Sequence, residues 1–364
     1  MARINAFLQL GREQRCSDIH LAVGSPPLLR IMGDLVPIKY RELSETELHD
    51  LLYEILTDEQ KSTLESGDDL DFSYQDEELG RFRVSIYRKL GGLGASFRVI
   101  ALQIPSLSDL GLPAVVEKML NIQHGLILVT GATGTGKTTT LAAMINLINN
   151  TRRLNIITLE DPVEYLYKSN MSLVIQREVG SQVESFAMGL RAALREDPDV
   201  ILVGELRDPE TISLAMTAAE TGHLVLGTLH TSSAMKTMDR IIDAMPTEQK
   251  HQAVTFLAHN LRGVISQKLI KTANNRELKA ITEILVNTPA ISNLIMNGKM
   301  HQIPSMLQTG ANKGMQLMDQ ALMEALNKKE IDPDDAYKHA TDKSIFQAFV
   351  TNPEILPQLN INVS

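Results

Sequence analysis

Residues 126–138 read Leu126-Ile127-Leu128-Val129-Thr130-Gly131-Ala132-Thr133-Gly134-Thr135-Gly136-Lys137-Thr138. The first five are apolar or β-branched and predict a buried strand. Residues 138–149 return apolar positions at helical spacing. Between them, Gly131 to Thr138 fits G-x-x-x-x-G-K-[ST] at every position, in the strand–loop–helix setting that pattern requires. Glycines let the backbone curl until its N–H groups point inward at an anion. The start of the following helix adds positive potential at the same place. The candidate phosphate-binding residues are Gly131, Ala132, Thr133, Gly134, Thr135, Gly136, Lys137, Thr138 and Thr139. Lys137 has the reach for the β- and γ-phosphates of ATP, and the Thr138 hydroxyl suits Mg²⁺. A Gly-rich turn with an incidental lysine is the bland alternative, and the flanking strand and helix tell against it.

Working outward, residues 126–130, 156–160, 200–205 and 224–228 are short apolar runs bounded by turn or polar residues. Helical patterns at 138–149, 184–195 and 209–221 separate them. Strands buried on both faces that alternate with helices predict an α/β fold with a parallel sheet. Chemistry in such sheets collects at the carboxyl ends of the strands.

Three segments fall at those ends. Glu160-Asp161-Pro162-Val163-Glu164 offers a carboxylate to polarise water for attack on a γ-phosphate, although a solvated acidic turn reads the same way in isolation. The run 200–203 ends in Gly204-Glu205, an apolar strand closing on a carboxylate. That is the Walker B pattern for holding a metal or its water. Here Gly204 stands where Asp is expected, so the longer Glu205 acts through a water. His223 and His230 bracket the run 224–228. A lone histidine is more often a satisfied polar residue than a catalyst. His230 is the better placed, since it lies at the carboxyl end. No third ligand lies nearby for a histidine metal site.

The N-terminal third reads as α+β. Strands are expected at 19–23, 28–32, 70–74, 81–87 and 95–100, with turns at Gly33-Asp34 and at 91–94. Ser44 with Glu47, and Thr57 with Gln60, mark two helix starts. Residues 101–113 carry Pro105, Gly111 and Pro113 and read as a linker. The expected organisation is therefore a domain over 1–100, a linker over 101–113, an ATPase domain over 114–270 and a mainly helical subdomain over 271–364. In the last, Met315, Met318, Leu322, Ala325 and Leu326 share one helix face, and Asp332-Pro333 opens another helix.

The chain has 364 residues, enough for two domains. Its net charge of −9 speaks against gripping nucleic acid along a basic surface. The single cysteine, Cys16, excludes a disulfide framework and a thiolate zinc site. No run reaches the roughly 18 apolar residues of a membrane span. A cytoplasmic protein with no integral membrane segment is expected.

The segments Leu194-Arg195-Glu196-Asp197-Pro198-Asp199-Val200-Ile201-Leu202-Val203-Gly204-Glu205-Leu206-Arg207-Asp208 and Thr221-Gly222-His223-Leu224-Val225-Leu226-Gly227-Thr228-Leu229-His230-Thr231 follow the phosphate loop in order. They resemble the Walker B stretch and His box of the secretion ATPase superfamily of type II and type IV systems. Ser17-Asp18-Ile19-His20-Leu21, Gly80-Arg81-Phe82-Arg83-Val84, Gln176-Arg177-Glu178-Val179 and Val264-Ile265-Ser266-Gln267-Lys268-Leu269 resemble its retraction branch, the PilT family. One stretch departs from it. The family's A-I-R-N-L-I-R-E is Ala290-Ile291-Ser292-Asn293-Leu294-Ile295-Met296-Asn297 here.

The resemblance implies a RecA-like ATPase domain, a PAS-like N-terminal domain and a ring of six identical subunits. It implies Glu164 as the catalytic glutamate, Glu205 as the Walker B glutamate, and His223 and His230 near the nucleotide. Arg83 and Arg98 are the candidates to reach a neighbour's nucleotide. ATP would lie between the two domains, which rotate across 101–113 on hydrolysis. The implied activity is ATP-driven retraction of a type IV pilus through an inner-membrane platform protein, with peripheral attachment there and a paralogous pilus ATPase as a further partner. An accessory paralogue, a nucleotide-dependent scaffold and an assembly or secretion ATPase are the alternatives. The absence of a four-cysteine cluster tells against the last.

Overall fold

The computed structural model describes residues 2–31, 33–100, 103–274 and 277–357. Met32 of the second expected strand, Ala101 and Leu102 of the expected linker, and positions 358–364 lie outside the described residues. The chain divides into two compact units, Met1–Gln103 and Ile104–Ser364.

The first unit is one antiparallel sheet with helices. Its strands are β1 (Asp18–Ala22), β2 (Leu28–Ile31), β3 (Asp34–Pro37), β4 (Leu70–Asp76), β5 (Gly80–Lys89) and β6 (Gly92–Val99). They lie in the order β3-β2-β1-β6-β5-β4. Along β5, buried Phe82, Val84 and Ile86 alternate with half-exposed Arg81, Arg83 and Ser85, the period-2 signature of a sheet with one face on a core. That core takes Leu48, Leu51 and Leu52 from the helix Glu45–Tyr53 and Leu64 from the helix Asp58–Ser66. Ser44 accepts the Glu47 N–H, while Thr57 and Gln60 close a complete reciprocal capping box. The turn expected at 91–94 is tighter than that. Lys89 pairs with Gly92, so only Leu90 and Gly91 turn, with Gly91 at φ 86°.

The second unit holds a seven-stranded sheet. It comprises β7 (Gly125–Thr130), β8 (Asn155–Glu160), β9 (Leu173–Glu178), β10 (Val200–Val203), β11 (Leu224–Leu229), β12 (Leu261–Lys271) and β13 (Leu278–Val286). The order is β13-β12-β7-β11-β10-β8-β9. Every pairing is parallel except β12 with β13. All residues of β7, β10 and β11 are buried. The phosphate-loop strand β7 is therefore interior, and its carboxyl end lies beside that of β11 and beside Ser266 of β12.

Two expectations need correction. The boundary at 270/271 cuts into β12, and β13 beyond it is a strand of the same sheet. Ile291, Ile295, Ile303 and Leu307, from the helices Pro289–Met296 and Ile303–Thr309, join the core that Leu126 and Leu128 of β7 enter. The region after 270 is thus continuous with the seven-stranded sheet. The strand expected over 200–205 stops at Val203. The Met-bearing stripe is core. Met318, Leu322, Ala325 and Leu326 of the helix Met318–Asn327 pack with Ile270 and Ile281 of the β12–β13 hairpin. No helix among the described residues is long and apolar enough to cross a membrane.

Candidate nucleotide-binding site

The phosphate loop leaves β7 at Thr130 and enters the helix Lys137–Thr151. Gly131, Gly134 and Gly136 all have positive φ, at 146°, 78° and 82°. At Gly131 a Cβ would overlap the Gln267 carbonyl and the Thr135 hydroxyl, so only glycine fits the turn. Ala132, Thr133 and Gly134 at the crest are exposed. The Thr135 hydroxyl donates to the Ala132 carbonyl at 2.8 Å and pins the curl. Lys137 is 9% exposed, and its ammonium donates to the Gly131 and Ala132 carbonyls, both at 2.9 Å. Burial pushes Lys137 below the usual lysine range, and the carboxylates of Glu205 and Glu164 oppose that shift.

Glu164 sits on the segment that follows β8. Val163 donates its N–H to Glu178 Oε2 at 2.9 Å, and Gln176 Nε2 donates to the Tyr165 carbonyl at 2.8 Å. The Tyr165 phenol meets the Thr139 hydroxyl at 3.0 Å, joining this segment to the phosphate-loop helix. The half-buried Glu164 carboxylate has no hydrogen-bond or ion-pair partner among the described residues. A carboxylate held this way is available to a water.

Glu205 is held differently. Its two oxygens meet Arg207 Nε at 2.8 Å and His230 Nε2 at 3.1 Å. Arg207 also lies 3.8 Å from Asp161, tying the Walker B turn to the acidic segment. Gly204 packs close to β8. A Cβ there would stand 3.1 Å from the Leu159 carbonyl and 3.4 Å from Glu160 Cα, and the Gly204 N–H donates to that same carbonyl. β10 ends at Val203, and the carboxylate follows Gly204 at Glu205.

The matching family model, described as "Type II/IV secretion system protein", spans residues 4–333. The chain is 44% identical over 337 residues to the "Type IV pilus retractation ATPase PilT" of Pseudomonas aeruginosa, covering 93% of this chain and 98% of that protein. It belongs to the PilT family. A solved PilT structure, "Crystal Structure of the Pilus Retraction Motor PilT and Bound ADP", superposes with a TM-score of 0.88 at 40% identity, over 96% of this chain and 99% of that one. The "Type IV pilus ATPase PilU" of Pseudomonas aeruginosa is 36% identical over 92% of this chain and 87% of its own length.

Against that PilT-family frame, the predicted residues sort clearly. Lys137, Thr138, Thr139, Glu164, Glu205 and His230 gather at one end of the sheet. His223 does not. It precedes β11 at the amino end, where its carbonyl accepts the Gly125 N–H. Its ring Nδ1 lies 2.8 Å from the Ala218 carbonyl and 3.2 Å from the Thr221 hydroxyl. The intervening strand puts it roughly 20 Å from His230. Within one subunit His223 is a helix-end histidine, as its position at the start of the strand allowed. Arg83 and Arg98 belong to the first unit, directly opposite one another on β5 and β6. Arg98 pairs with Asp18 at 3.0 Å. Sequence reasoning passed over Arg207, Tyr165 and Gln267. Arg207 closes the Walker B wording and Gln267 stands in the quoted 264–269 stretch, so both were in view without a role.

Proposed function

We propose that this chain is an ATP-hydrolysing motor subunit that drives retraction of a type IV pilus. The observation that carries the proposal is a buried Lys137 inside a glycine-shaped anion cradle, with Glu164, unpartnered among the described residues, on the segment that Tyr165 ties to the cradle's helix. The similarity to a pilus retraction ATPase over nearly the whole chain supports the biological assignment.

In this reading the loop amides of 131–138 bind the phosphates. Lys137 exchanges its two loop carbonyls for phosphate oxygens and offsets charge that builds on the γ-phosphoryl group. Glu164 orients a water and takes its proton as the oxygen attacks phosphorus. The Thr138 hydroxyl has no hydrogen bond among the described residues and stands ready for Mg²⁺, with Glu205 behind it through a water. Bound there, Mg²⁺ would neutralise charge on the β- and γ-phosphates. His230 and Arg207 hold the Glu205 carboxylate in place and report on the bound phosphate. Arg83 and Arg98 act on a neighbouring subunit's nucleotide. Arg98 would exchange its Asp18 partner for the neighbour's phosphate.

The assembly proposed is a homo-hexamer on the cytoplasmic side, attached at the inner membrane through the platform protein. A second reading, an accessory paralogue in the same ring, has one observation behind it. The helix Pro289–Met296 exposes Met296, where the family carries a charge, and directs the Ser292 hydroxyl inward to the Ala258 carbonyl at 2.5 Å.

Steady-state ATPase of the purified chain, with oligomer size measured with and without nucleotide, tests the enzymatic reading. Turnover that Lys137→Ala abolishes supports it; wild-type protein without turnover favours the scaffold. Pilus retraction in a deletion strain carrying this gene alone separates the main motor from the accessory one.

A further inference from the structure

Gln267 is 4% exposed on β12 and meets the phosphate loop in three ways. Its Oε1 accepts from the Thr140 hydroxyl at 2.8 Å, on the first turn of the loop's helix. Its Nε2 donates to the Thr135 carbonyl at 2.7 Å, within the loop itself. Its own carbonyl faces Gly131 so closely that no side chain fits there. The preceding Ser266 meets the Thr130 hydroxyl at 2.9 Å, at the end of β7. One dipeptide thus grips the strand, the loop and the helix of the cradle.

The same level of the hairpin has a second set of bonds on its other strand. In the β12–β13 register Ser266 faces Glu283 and Gln267 faces Thr282. Glu283, 7% exposed, accepts the Ala234 N–H at 2.8 Å, at the start of the helix that follows the His230 loop. Thr282 accepts from Gln316 Nε2 through its carbonyl at 2.7 Å and its hydroxyl at 3.1 Å. Next to Gln267, Lys268 donates to the His339 carbonyl at 2.7 Å.

A buried amide with both ends satisfied is a rigid link, and breaking either end leaves an unpaired polar group in the core. Adjacent rungs of the hairpin thus hold the loop on one side and, on the other, Gln316, which lies just before the helix Met318–Asn327, and the end of the helix Pro333–His339. We infer that Gln267 is the positioning residue that sets the phosphate loop in its binding shape and carries the loop's state across the β12–β13 rung to the C-terminal helices. This rests on the nucleotide reading above and adds a route out of the site.

The test is hydrogen–deuterium exchange on the full chain with and without ADP·Mg²⁺, beside ADP titrations. In wild-type protein, ADP should protect peptides within 131–140 and change exchange within 316–339. Gln267→Leu should weaken ADP about tenfold, from two lost hydrogen bonds, and abolish the 316–339 response at saturating ADP. Thr140→Val keeps the shape, removes only the Oε1 bond and should give a smaller change in the same direction, so it serves if the leucine variant does not fold. Unchanged ADP affinity in these variants, or a 316–339 response that persists in them, overturns the inference. So does wild-type ADP binding with no 316–339 response. Wild-type protein that binds no ADP overturns the nucleotide reading instead.

Discussion

The Tyr165 phenol and the Thr139 hydroxyl lie 3.0 Å apart, joining the segment that carries Glu164 to the helix that begins the phosphate cradle. Tyr165 is 8% exposed, and burial pushes its phenol above the ordinary tyrosine range, so it stays a neutral partner at physiological pH. The proposed base and the proposed phosphate site are therefore held in register by one side-chain bond.

Tyr165→Phe keeps the buried ring and removes that bond. One hydrogen bond is worth about 1 kcal/mol net, so kcat should fall about fivefold while ADP affinity changes little. Steady-state kinetics beside an ADP titration check this. An equal loss in both would assign Tyr165 to binding.

Glu205, Arg207 and His230 form one network, so their substitutions should not add. Arg207→Ala and His230→Ala should each lower kcat, and the double variant should fall short of the product of the two effects. A double-mutant cycle on ATPase rates measures the coupling, and simple additivity would dissolve the network.

Gly131→Ala should abolish nucleotide binding and lower stability by about 2 kcal/mol or more. The added methyl meets the Gln267 carbonyl at a backbone angle of 146° that alanine disfavours. Thermal unfolding and ADP titration read the two effects.

Cys16 is buried, and desolvation first, then the Asp18 charge, pushes its thiol up to about 11. At pH 8 the native thiolate is scarce, so a thiol reagent should label native protein slowly and denatured protein fast. The native state holds its proton to higher pH than the unfolded chain does. Cys16 therefore makes stability fall as pH rises from the ordinary thiol range toward 11. Rapid labelling of folded protein at pH 8 would contradict this burial.

What could be read from sequence was locally encoded. The phosphate loop, the Thr57–Gln60 capping box and the apolar strands β7, β10 and β11 carry their signals within a few residues. Strands β9, β12 and β13 escaped notice for a physical reason. β9 is an edge strand whose residues are at most half-buried, so no apolar run announces it. β12 and β13 bury Ser266, Gln267, Thr282 and Glu283, polar residues that a hydropathy pattern assigns to the surface. They are tolerated inside because each finds a partner: Thr130 at the end of β7, the phosphate loop and its helix, Gln316, or the Ala234 N–H. The sequence already favours His230 over His223, because the run 224–228 lies between them, and β11 keeps that order, with His223 at its amino end.

The most direct test of the mechanism is single-turnover ATP hydrolysis by Glu164→Gln, beside ATP binding by the same protein. The amide keeps the size of the side chain and removes its ability to take a proton. Binding should match wild type while the chemical step slows by about 10²-fold or more. Hydrolysis at the wild-type rate would mean that another group activates the water.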